Sequence, residues 1–201
     1  MSLVKHNNNS ISDINSAGQL AQGKMTLISS QTASGSASIE FTSGIDSAYP
    51  IYKFEFINIH PSTDTAQFQF NMSTNAGSNY NVTKTTTHFR ALHKENGIGG
   101  GVEYRTQEDL AQSTAFQPLT AGTGSGADES SSGSLILFNP SSTTYVKHFI
   151  ANLSDYFYDD YMINYFIAGY GNTTSAVNAI KFQMSSGNID SGTIKLYGIG
   201  D

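Results

Sequence analysis

Cysteine is absent from this chain of 201 residues, only four residues are proline, and charged side chains make up just 13%. The first absence excludes disulfides, thiolate nucleophiles and cysteine-held metals together, so stability must come from core area or from oligomer interfaces. Positive charge is also scarce, with 10 Lys and Arg against 16 Asp and Glu and no basic stripe. Nucleic acid is therefore excluded as a partner through phosphate neutralisation, and the net charge of −6 mainly favours solubility. No apolar run approaches the ~20 residues that cross a bilayer, and the first ten residues hold no apolar core of a leader peptide. No membrane partner is expected, and the chain is expected to stay in the cytosol or leave it by lysis. Asn71, Asn81, Asn152 and Asn172 each begin an Asn-x-Ser/Thr triplet, read as chance in so polar a chain.

What the chain has in excess is small and polar: 27 serines, 19 threonines, 16 asparagines and 19 glycines. Combined with 11% aromatic residues, this favours strands joined by many turns over helices. Tyr52, Phe54 and Phe56 fall on one face of an extended run, and Phe68, Phe70 and Met72 on one face of the next. Such period-two alternation marks half-buried strands, and the turn residues Pro61 to Asp64 between them predict an antiparallel hairpin. A second hairpin is expected from Ile180, Phe182 and Met184 followed by Ile194 and Leu196 across the turn-rich stretch 185–192. Strand signals cover 24–29, 38–42, 52–60, 66–73, 80–92, 135–138, 145–152, 162–170, 179–184 and 192–197. Their number and punctuation predict an all-β fold, an antiparallel β-sandwich of jelly-roll type.

Two segments stand apart. Residues 1–22 are polar and read as an N-terminal extended arm ahead of the 23–201 domain, with Leu3, Val4, Ile11, Ile14 and Leu20 as anchors on a partner or sister subunit. Residues 94–132 carry two Gly-rich stretches around the run Glu108 to Gln112, and read as a surface excursion for specificity or subunit contact.

Candidate chemistry is thin. His88 and His93 are five apart, hence on opposite faces of a strand, and cannot share a metal, while His60 reads as a turn or rim residue. The sharpest constellation is Asp155, Tyr156, Tyr158, Asp159, Asp160 and Tyr161, with Phe157 among them. Its carboxylates and rings fit hard-oxygen Ca²⁺ ligation or a sugar platform, but the Asp-x-Asp spacing and glycine of a calcium loop are missing. A packed loop crossing the sandwich end is the simpler reading. Gly97 to Gly101 lacks the Lys-Ser/Thr of a phosphate loop and reads as a linker, and no Gly-x-Ser-x-Gly occurs. No catalytic residues, cofactor or metal site are assigned, and an enzyme is not expected.

Four stretches, 54–64, 77–87, 137–144 and 184–198, carry a resemblance. With these the chain resembles a family of small virion-associated proteins of marine tailed bacteriophages, over most of residues 20–198, most recognisably in the ending Gly192-Thr-Ile-Lys-Leu-Tyr-Gly198. The resemblance implies a virion component, assembled in the host cytoplasm, and supplies no active-site residues. Two roles follow as expectations. One is a capsid decoration or cement protein that binds the major capsid protein as a homo-oligomer, such as a trimer. The other is a tail or fibre component that binds host glycans through the 155–161 aromatics.

Overall fold

The alternating runs become strands. The computed structural model describes residues 25–200, so the expected arm, with Leu3, Val4, Ile11, Ile14 and Leu20, lies outside the described residues. Within them the chain is all-β, with no helix. Twelve strands follow in order: β1 (Met25–Ser36), β2 (Ile39–Phe41), β3 (Ile51–Pro61), β4 (Phe68–Ser73), β5 (Lys84–Lys94), β6 (Gly100–Tyr104), β7 (Gln117–Pro118), β8 (Ser131–Phe138), β9 (Lys147–Phe157), β10 (Tyr161–Gly171), β11 (Ala179–Met184) and β12 (Ile189–Ile199). They form two antiparallel sheets in a sandwich-like arrangement, one of eight strands ordered β1-β12-β3-β8-β9-β10-β5-β6 and one of four ordered β2-β11-β4-β7.

Neither expected hairpin forms. β3 belongs to the large sheet and β4 to the small one, and β11 and β12 are likewise split between sheets. Each turn-rich stretch is a corner carrying the chain across the sandwich, and the two corners hold each other, Ser62 N donating to Asn188 O at 3.0 Å. The physical reason is the apolar face. Side by side in one sheet, the rings of β3 and β4 would still need a cover, whereas in facing sheets they cover one another. Phe56 meets Phe68 edge-on at 5.1 Å. Phe182 of β11 sits at the centre, its ring 5.2 to 6.3 Å from those of Phe41, Phe54, Phe56, Phe68 and Phe70.

Close approach explains the glycines of the C-terminal ending. A Cβ on Gly198 would lie within 2.6 Å of the Tyr49 ring, and Gly192, at φ +119°, faces the backbone of Asn58 and Ile59.

Because the sheets are unequal, β10, β5 and β6 extend beyond the small sheet. The chain between β6 and β8 lies against their inner face, so part of the stretch expected as a surface excursion is interior, while 95–102 and 126–128 are exposed. Glu108, Gln117, Leu119, Thr120 and Thr123 are buried. Stitching fixes this segment: Thr86 Oγ1 donates to Gln117 Oε1 at 2.7 Å and accepts from Leu110 N at 2.8 Å. Gly97 to Gly101, expected as a linker, is linker only in part: Gly97 to Gly99 belong to the β5–β6 connection, closed by Lys94 N donating to Gly99 O at 3.1 Å, while Gly100 and Gly101 open β6.

Candidate interaction surface

The expected 155–161 constellation does not converge. It is the tip of the β9–β10 hairpin, and strand alternation sends its members to different faces. Asp155 points inward and is fully buried. Ser131 Oγ donates to it at 2.5 Å and Tyr165 Oη at 3.4 Å. Burial pushes the Asp155 carboxyl up to about 6, against the pull of its hydroxyl donors. Asp159 is exposed and accepts from Lys94 Nζ at 2.9 Å. Asp160 takes the left-handed turn position, φ +57°, and its carbonyl accepts from Glu95 N. Tyr158 alone among the rings is exposed, packed on Phe157 at 4.4 Å, while Tyr161 lies under the Lys94 ammonium at 4.9 Å. Among the described residues no group of three or more His, Asp or Glu is placed to hold a metal ion.

The extension of the large sheet has an ionic inner face. Arg90 pairs with Glu103 at 3.0 Å, and Arg105 bridges Glu103 at 3.3 Å and Glu108 at 2.9 Å. One Arg90 terminal nitrogen, Nη1, has no hydrogen-bond partner among the described residues. His88, beside it on β5, is fully buried. Both ring nitrogens are buried without hydrogen-bond partners among the described residues, the ring packs edge-on against Tyr165 at 5.4 Å, and burial lowers its pKa to about 4. His93, on the opposite face, is exposed, and His60 Nδ1 lies 2.7 Å from the Glu129 carbonyl oxygen at the end of β3.

Behind this layer, the outer face of the same strands is apolar and open. Cross-strand register sets Tyr104, Phe89 and Phe166 in one row across β6, β5 and β10, with Phe89 and Phe166 stacked at 5.0 Å and 10°. Val102, Ile150 and Met162 flank the row. Exposure runs from 38% for Phe166 through 49% for Met162 to 74% for Val102. Six such side chains of ~200 Å² each, about half exposed, offer roughly 600 Å² of apolar surface, at the upper end for a monomer's largest patch. Two shallow apolar grooves of about 500 and 260 Å³ run along it, lined by Thr87, Phe138, Ile150, Ala168 and Tyr170 among others.

Sequence reasoning passed over these residues. Their signal was the failure of alternation in Met162-Ile-Asn-Tyr-Phe-Ile-Ala168, apolar on both faces of one strand. A strand of that kind has two surfaces to cover. In comparisons with family models, with curated proteins and with solved structures, the chain matches none.

Proposed function

We propose that the chain is a structural protein of a bacteriophage virion, a capsid decoration or cement protein that binds the major capsid protein as a homo-oligomer. The observation that carries this reading is the open apolar face of β10, β5 and β6, with its stacked Phe89–Phe166 pair presented on a sheet. Binding only the assembled shell, such a protein stabilises it by mass action. The resemblance over residues 20–198 supports the same placement.

The fold is, on this reading, a jelly roll. Its support is the strand pairing: β1 lies beside β12, β2 beside β11, β3 beside β8 and β4 beside β7, the pairs alternating between the two sheets. That is one long hairpin rolled into a sandwich. The pairs β5–β6 and β9–β10 are then insertions, and both add to the same side of the large sheet. A tail or fibre role through the 155–161 aromatics has less behind it, since Tyr158 is the one ring of the turn that is exposed.

Purified virions are expected to contain the protein at a copy number tied to capsid symmetry. Phe166→Asp, placed on the exposed face, should abolish binding to heads while leaving the unfolding temperature nearly unchanged. Copies confined to the tail would overturn the assignment.

A further inference from the structure

The free edge of β6 is built to pair with itself. Backbone bonds from Arg105 N to His88 O, at 2.8 Å, and from Lys94 N to Gly99 O, at 3.1 Å, fix which groups face β5. They are those of the odd-numbered residues, 99 to 105, because successive residues of a strand direct their N–H and C=O to opposite sides. The N–H and C=O groups of Gly100, Val102 and Tyr104 therefore point away from β5, and have no backbone partner among the described residues.

Natural edges are protected by brevity, bulges, proline or lysine. Among the described residues the other edges carry such devices. β1 has a bulge between Leu27 and Ser29, β2 is three residues long, and β7 is two residues ending in Pro118. β6 pairs through all five of its residues in unbroken register and holds no proline or lysine. Its one charge, Glu103, points inward and is already bound by Arg90 and Arg105.

We propose that β6 pairs antiparallel with β6 of a second copy of this chain, about a two-fold axis at Val102. The side chains choose this occupant. Read from the axis, Val102 meets the partner copy's Val102, and Tyr104 lies opposite the partner copy's Gly100, large against none, so the tyrosine ring covers the bare glycine. Glu103 faces the partner copy's Gly101, at which an added Cβ would meet nothing within 4 Å, so no like charges stand directly opposed. Every outward N–H and C=O of Gly100, Val102 and Tyr104 finds a partner in this register. The two large sheets become one, and the apolar rows of both copies join into a single face across the axis. An isologous contact of this kind closes at two subunits, in place of the trimer named among the sequence expectations. It is a property of the isolated protein and holds whatever the virion location proves to be.

The absence of cysteine provides a clean test. Val102→Cys places single thiols opposite each other at a Cα separation of ~5.5 Å, within disulfide range. Mild oxidation should yield a disulfide-linked dimer on a non-reducing gel, whereas Leu27→Cys on the β1 edge should yield none. Sedimentation of the unmodified full chain should give twice the 21.6 kDa chain mass. Val102→Lys, which opposes two ammonium groups at the axis and breaks no bond to β5, should give a folded monomer whose unfolding temperature, unlike that of the wild type, does not rise with protein concentration. A monomeric or trimeric wild type, or a dimer that survives Val102→Lys, would overturn the proposal. Loss of head binding by Phe166→Asp with the dimer intact would leave it standing.

Discussion

Lys84 is a buried base whose proton can be weighed against folding. It lies on β5 with no exposed surface, its Nζ donating to Asn71 Oδ1 at 2.6 Å and to Val82 O at 2.8 Å. Asn71 cannot turn away, because its amide nitrogen is held by the carbonyls of Tyr80 at 2.7 Å and Thr114 at 2.9 Å. No carboxylate among the described residues forms an ion pair with Lys84, so desolvation of the ammonium dominates and lowers its pKa from 10.5 to about 7. Between those two values the unfolded chain holds the proton and the folded chain does not. Stability therefore rises with pH through this window, by up to about 1.4 kcal/mol per pH unit, and the slope vanishes below pH 7, where both states are protonated. Urea unfolding of wild type and Lys84→Met at pH 7, 8 and 9 isolates the effect, since tyrosines and other lysines cancel in the difference. The wild type should gain on the variant at each step. Parallel curves would refute the burial argument. If the variant does not fold, direct titration of the Lys84 ammonium by NMR provides the same test, and a midpoint near 10 would refute it equally.

Phe182→Ala should cost ~3–5 kcal/mol, because one ring contacts five others and the facing sheets leave no room to collapse. A thermal unfolding midpoint lowered by ~10 °C is expected, and a loss below ~1 kcal/mol would mean that the ring is not central to the packing. His88 and Asp155 should act in opposite directions on acidification. With His88 lowered from 6.5 to about 4, the unfolded chain takes up its proton first and stability falls as pH drops through that range. With Asp155 raised from 3.8 to about 6, the folded chain takes up its proton first and stability rises as pH drops through that range. Relative to wild type, His88→Leu should gain stability between pH 6.5 and 4, and Asp155→Asn should lose it between pH 6 and 3.8. Each change should reach about 3 kcal/mol in denaturant titrations. Differences that do not change with pH would show that neither group is buried as described.

Period-two alternation made most strands legible, and it did so where one face is apolar. Ile180, Phe182 and Met184 alternate with polar residues, and β11 spans Ala179–Met184, the bounds expected from sequence. Alternation says which face is buried and nothing about which strand lies alongside, so β3 with β4 and β11 with β12 were expected as hairpins and turned out to be corners. A Pro61 to Asp64 turn serves either purpose. β6 was illegible for a different reason. Three of the residues in Gly99 to Val102 are glycine, and what makes them a strand is the β5 edge beside them, a tertiary cause. The burial of Glu108 and Gln117 was likewise invisible, because it depends on which partners the fold brings up, Arg105 three residues before Glu108 and Thr86 of β5 for Gln117.

The two inserted strand pairs break local rules on both of their faces, and for a fold optimised only for stability that is hard to explain. On the inner face β5 buries both nitrogens of His88 and Nη1 of Arg90 with no partner among the described residues, at a desolvation cost of ~1–3 kcal/mol for each such polar group. On the outer face the same strands show water a stacked Phe89–Phe166 pair beside Tyr104 and Val102. The rings packed directly on Phe182 come from β2, β3 and β4, and β9 joins that cluster at its margin, through Phe149 edge-on to Phe70 at 5.0 Å. Departures of this kind concentrate where a protein does its work. The arginines and glutamates beneath the sheet tie β5 to β6, as the proposed contact face and self-pairing edge would both require. On the proposed reading the other eight strands are the support, and β5, β6, β9 and β10 are what would meet a partner.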